Sequence, residues 1–345
     1  MRDCNVLIVG SGLSGRSAAF HLARLGVKDV IVLERMSGAQ YDHYHHTCGE
    51  AVSYRMLDLA GVSRRSIIHD VRSIRITYED IDIDWSVKGA IIDRVDLLEE
   101  LKDGSDAQFI KESVIDVRGS DDGYIVQGVN DQYRCRYLIG ADGVFSIVRK
   151  RMFGTEPRFC FPCVNNIVVG EGEKDVLRFT ISPQYPGCYR WDFPAKDRYR
   201  SIGYSDGTDH VDGYVDRGKR YIAVGKSEKA VKDNCCIIGD AAILANPICF
   251  GGIGAALISG RKVAERIAKG DLSGYQSWLN RDRMFDHHFL DALVEFRTWN
   301  DEDYCDAIEP LRKGASIPRG FLAIVRRPKW ANVYMSIWVA FNRGW

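Results

Sequence analysis

The 345-residue sequence predicts an α/β fold: a discontinuous domain around a parallel sheet, an inserted, largely antiparallel β-sheet domain, and a helical C-terminal region. Three observations predict it. A strand-helix-strand pattern with a glycine-rich turn opens the chain. Residues 71–85 alternate (Ile74, Ile76, Tyr78, then Ile81, Ile83, Trp85), and residues 165–203 are rich in β-formers and turn residues. Strand-loop-helix character returns from Tyr221 to about Gly270, after which the chain reads as helical and aromatic. The expected division is therefore 1–70, 90–155 and 221–274 for the first domain, 71–89 and 156–220 for the inserted one, and 275–345 for the helical region.

In chain order, residues 5–9 are a continuous apolar run, the pattern of a strand covered on both faces. Ala18, Ala19, Leu22 and Leu25 then fall at helical spacing, with Gly26 as the stop, and residues 29–33 read as a second buried strand. Between the first strand and the helix stands Gly10-Ser11-Gly12-Leu13-Ser14-Gly15. In a GxGxxG so placed, the first glycine makes a tight turn and the second lets backbone approach a pyrophosphate. The third lets the helix pack close to the strand while its N-terminal dipole faces the anion. Glu34 ends the second strand, 19 residues after Gly15, where it can accept from a ribose diol. This is a Rossmann-like dinucleotide site.

NAD and FAD share that fingerprint, and two further stretches decide between them. Residues 137–143 form a buried strand running into Asp142-Gly143, followed by Ser146 and Arg149. Residues 235–239 form another strand, reaching Asp240, and Gly251-Gly252-Ile253 then opens a helix over residues 254–268. Asp240 can accept from ribityl hydroxyls, and the glycine amides can donate to the pyrimidine edge of a flavin. Three cofactor-type turns exceed what NAD alone needs, so FAD is expected.

These stretches resemble the FAD-binding segments of the aromatic-hydroxylase flavoprotein superfamily, and within it the geranylgeranyl reductase family. Cys48-Gly49-Glu50-Ala51-Val52-Ser53 is similar to that family's cysteine loop beside the flavin, and Tyr189-Arg190-Trp191-Asp192-Phe193-Pro194 matches its YxWxFP signature. One departure is Gly203-Tyr204-Ser205, where the family pattern continues GxG. The resemblance spans roughly residues 1–270. It implies that Arg35, Cys48, Gly49, Ala51, Arg94 and Val114 lie against the cofactor, and that Cys48 is the catalytic residue, positioning substrate or relaying a proton. It implies that Tyr189, Trp191 and Phe193, which would share one strand face, line a prenyl slot, whereas spacing alone favours a sheet core.

The implied activity is FAD-dependent saturation of isolated C=C bonds in geranylgeranyl chains, with a prenyl lipid as substrate. A ferredoxin or a reductase is expected as electron donor, since no second nicotinamide fingerprint is present. Two other readings stand beside it: a flavin monooxygenase acting on an aromatic or other small substrate, and a flavin-bound lipid carrier without turnover.

Composition narrows the remaining classes. Lys plus Arg and Asp plus Glu are 47 each, which predicts no nucleic-acid partner. Ten cysteines at irregular spacing, among them Cys160-Phe161-Pro162-Cys163, read as free thiols in a reducing, cytoplasmic compartment. The run Tyr41-Asp42-His43-Tyr44-His45-His46-Thr47-Cys48 lacks a metal spacing and reads as a solvated loop, so no metal is expected. The N-terminal apolar run is too short for a secretory signal. Near the other end, Arg326-Arg327-Pro328-Lys329 separates two apolar stretches too short to span a bilayer. They suit either peripheral membrane contact or packing onto the other domains.

Overall fold

A computed structural model describes residues 1–345. The first half runs β1 (Arg2–Val9), α1 (Leu13–Arg24), β2 (Val30–Glu34), α2 (Ala39–His46), β3 (Ala51–Ser53), α3 (Tyr54–Ala60), β4 (Ile67–Tyr78), β5 (Ile81–Ile92) and α4 (Arg94–Asp103). Five strands follow: β6 (Gln108–Lys111), β7 (Val114–Ser120), β8 (Gly123–Gly128), β9 (Gln132–Gly140) and β10 (Phe159–Val169). Then come β11 (Val176–Thr180), β12 (Arg190–Pro194), β13 (Tyr199–Ser205), β14 (Tyr214–Val224), β15 (Val231–Lys232) and β16 (Cys235–Ile237). The chain finishes in helices α5 (Ile253–Ile267), α6 (Ser273–Arg281), α7 (His288–Phe296), α8 (Asp301–Ile308), α9 (Ile317–Arg326) and α10 (Ala331–Arg343).

The first sheet has the order β15-β16-β9-β1-β2-β6, parallel from β16 to β6, with the β7-β8 hairpin added antiparallel to β9. Val6 to Val9 are buried on both faces, as their uninterrupted apolar character requires. The strand starts earlier than its apolar run because Arg2 to Cys4 still pair with β9. Helices α1 and α5 cross closely over this sheet, where Ser17 Oγ donates to Leu257 O at 2.7 Å.

The second sheet is ordered β14-β10-β13-β12-β11-β4-β5-β3 and is antiparallel except where β11 meets β4. The alternating run is a hairpin, not one strand: it turns at Glu79, whose φ is 50°, and pairs Tyr78 with Ile81, Ile76 with Ile83 and Ile74 with Trp85. This sheet also takes in β3 and the outer ends of β4 and β5, beyond the boundaries read from alternation alone. The C-terminal helices cover it: Tyr304 of α8 stacks on Tyr78 at 5.2 Å, and Trp85 packs against Trp338 and Phe341 of α10. Helix α10 therefore packs onto the sheet, one of the two placements its aromatic run allowed.

Candidate functional site

The glycine turn is built by close approach. Gly10 has φ +102°, and a Cβ on it would stand 2.3 Å from the Ala141 carbonyl oxygen, so no other residue fits. A Cβ on Gly15 would stand 2.0 Å from Gly10 O, which is why the third glycine belongs to packing rather than to the cavity wall. Gly12 differs: only His45 approaches, at 3.6 Å. Gly12 caps α1 with no side-chain acceptor, so the first-turn N–H groups are left for a ligand.

That turn opens into a cavity of about 640 Å³ lying between the two sheets. Of the residues expected at a cofactor or substrate, all but Gly15 line it: Gly10, Gly12, Glu34, Arg35, Cys48, Gly49, Ala51, Arg94, Val114, Asp142, Tyr189, Trp191, Phe193, Asp240, Gly251, Gly252 and Ile253. The Glu34 carboxylate accepts from the N–H groups of Ser11 (2.8 Å) and Met36 (2.9 Å), tying the strand end to the glycine turn. Asp142 is spent locally: it accepts from Ser146 Oγ (2.5 Å) and from the N–H groups of Ile147 and Val148 (2.7 and 3.2 Å). Burial pushes its carboxyl upward. Asp240 meets only Arg220, at 3.8 Å, and keeps its acceptors toward the cavity.

The opposite wall is aromatic. Tyr189, just before β12, and Trp191 and Phe193 within it line the cavity and belong to the apolar core of the second sheet, so the slot and core readings describe the same side chains. Tyr189 donates its hydroxyl to Cys249 O at 2.5 Å, and Trp191 Nε1 donates to Asn165 Oδ1 at 3.2 Å. The cysteine loop lies directly on this strand: a Cβ on Gly49 would stand 2.7 Å from the Phe193 ring. Cys48 Sγ accepts from the Glu50 N–H at 3.4 Å.

Several lining residues were not legible as site residues. The histidine run is helix α2, not a solvated loop; its periodicity is weak because only Tyr41 and His45 turn inward. His43 pairs at the surface with Asp216 at 3.1 Å, and His46 Nδ1 meets Glu50 Oε1 at 3.2 Å. Burial raises the Glu50 carboxyl, and the hydrogen bond with Glu50 raises His46. Arg220 arrives from β14, its guanidinium 4.5 Å from the Tyr44 ring centroid. Cys160 and Cys163 are both free. Metal-type side chains gather only at Asp286, His287 and His288, outside the cavity lining.

The arrangement combines a phosphate-type turn, a strand-end acid and a second helix start with an apolar wall. Residues 3–80 match the family described as FAD binding domain. Digeranylgeranylglycerophospholipid reductase 1 of Methanothermobacter thermautotrophicus is 24% identical over 322 residues, 79% of each chain. A geranylgeranyl bacteriochlorophyll reductase-like protein of Thermoplasma acidophilum superposes with a TM-score of 0.81 at 19% identity, over 96% of this chain and 100% of that one. PqsL, a probable FAD-dependent monooxygenase of Pseudomonas aeruginosa, gives 0.68 at 16% identity, over 86% of this chain and 97% of its own, so the fold alone spans both chemistries. The chain is an FAD-dependent oxidoreductase similar to the digeranylgeranylglycerophospholipid reductases.

Proposed function

We propose that this protein saturates isolated C=C bonds of prenyl chains, geranylgeranyl groups of an isoprenoid lipid precursor in particular. One observation carries the reading: the dinucleotide turns and the wall of Tyr189, Trp191 and Phe193 bound one cavity, so an apolar chain can lie against a bound flavin away from water. Gly10 and Gly12 would hold the pyrophosphate, Glu34 and Arg35 the adenosine end, and Asp240 with the Gly251–Ile253 amides the flavin end. When bound and reduced, FAD supplies a hydride from N5. The aromatic wall aligns the chain and excludes water. Cys48, on the loop pressed against that wall, positions the alkene or passes a proton to it. Electrons come from a ferredoxin or a reductase in this reading, because the single dinucleotide fingerprint is taken by FAD.

Peripheral membrane contact belongs to the same proposal. No helix is long and apolar enough to cross a membrane, yet α9 leaves Ile317, Phe321, Leu322 and Val325 exposed. From Pro310 to the last residue there are seven Lys or Arg and no acid, which suits an anionic lipid surface.

The test is product mass. Dithionite-reduced protein incubated with a digeranylgeranyl lipid should yield species heavier by one hydrogen pair per bond saturated. Unchanged lipid, together with oxygen-dependent hydroxylation of a phenol, would favour the monooxygenase; FAD content without either reaction would favour a carrier.

A further inference from the structure

Helix α2 places His45 where the cofactor turn needs a partner. The side chain is 3% exposed and lines the cavity, yet neither Nδ1 nor Nε2 has a hydrogen-bond partner. Two orphaned polar atoms on one buried ring are costly unless something that enters the cavity satisfies them. Its ring stands beside Gly12, with Cε1 3.6 Å from where a Cβ on that glycine would lie, so the imidazole borders the first α1 turn and its free N–H groups.

The surroundings say what charge that ligand carries. Arg16 on α1, Arg94 on α4 and Arg220 on β14 all bear on the ring, and His46 adds to them on α2 itself. Arg94 Nε is a further buried polar atom with no partner. Burial and these cations hold His45 well below the usual histidine range, so it is a neutral imidazole with one N–H to give. A helix N-terminus, an unpaired arginine nitrogen and an unpaired imidazole around one space form a site for a multiply charged anion. Tyr41 and Tyr44, with ring centroids 4.2 and 5.2 Å from the imidazole, fix its orientation.

We propose that His45 is a cofactor ligand whose ring N–H donates to the pyrophosphate of the bound dinucleotide from the α2 side. The inference concerns cofactor retention only and stands whether or not the protein reduces prenyl chains.

The experiment follows release of FAD from the full-length holoprotein after dilution, read as recovery of free-FAD fluorescence. His45→Phe keeps the ring packing and removes the donor; it should weaken FAD retention roughly 10- to 100-fold, the scale of losing a hydrogen bond to a charged group. His45→Gln restores a donor and should stay within about threefold of wild type. The visible spectrum of His45→Phe loaded with excess FAD should match wild type, since a phosphate contact is remote from the ring electronics. Melting temperatures of both variants separate ligand loss from misfolding. Wild-type retention in His45→Phe, or equal loss in both variants, would overturn the assignment and leave His45 as packing between two tyrosines. Should His45→Phe not fold, His45→Ala takes its place under the same criteria.

Discussion

A methyl group fits beside Gly12 and nowhere near Gly10, and this difference separates cofactor binding from folding at the same turn. The Cβ of Gly12→Ala would meet only His45, at ordinary contact distance, so the fold should survive with a melting temperature near wild type while FAD retention drops at least tenfold. Gly10→Ala should instead fail to fold, because its Cβ would overlap Ala141 backbone at a φ that alanine disfavours. Circular dichroism and bound-FAD absorbance distinguish the two. A second residue-scale prediction concerns His21, a buried residue of α1 with Nε2 at 2.8 Å from Ala60 O at the end of α3. Burial pushes it down to about 4 from an unfolded value near 6.5, so below pH 6.5 the unfolded chain takes up a proton that the folded chain refuses. Stability should therefore fall by about 3 kcal/mol between pH 6.5 and 4 and level off below. Urea melts at pH 7 and 4.5 should show this loss in wild type and much less of it in His21→Gln.

At the scale of elements, Trp191 shows why slot and core cannot be told apart by alternation. Its ring covers Gly203, where a Cβ would stand 1.8 Å away, and its other edge faces the cavity. Trp191→Ala should accordingly cost about 3–5 kcal/mol of stability and also slow turnover, more for geranylgeranyl than for geranyl substrates. Denaturant melts paired with rates on three chain lengths test both halves; an unchanged midpoint would remove Trp191 from the core. The strand-helix-strand start was legible because each element carries its own apolar period, and the β4-β5 hairpin because its partners are the alternating residues themselves. Helix α2 was not legible, since its one deep inward histidine breaks no polar pattern. Arg220 and Phe250 reach the cavity only through pairing and loop contacts distant in sequence, which no local spacing encodes.

At the scale of the whole molecule, two sheets face one cavity while α9 presents an apolar stripe outward, and the proposal joins these as a route from lipid to flavin. Phe321→Asp combined with Val325→Asp should abolish co-sedimentation with anionic vesicles and leave FAD content unchanged; wild-type sedimentation would end the membrane role. The central claim is that the aromatic slot delivers an alkene to the flavin. It is tested most directly by mixing the anaerobic, dithionite-reduced holoprotein with a digeranylgeranyl lipid and following flavin absorbance, with the fully saturated lipid as control. The account predicts reoxidation by the unsaturated lipid and none by the saturated one. A flavin that stays reduced with both, and is reoxidised only when oxygen and a phenol are admitted, would contradict it.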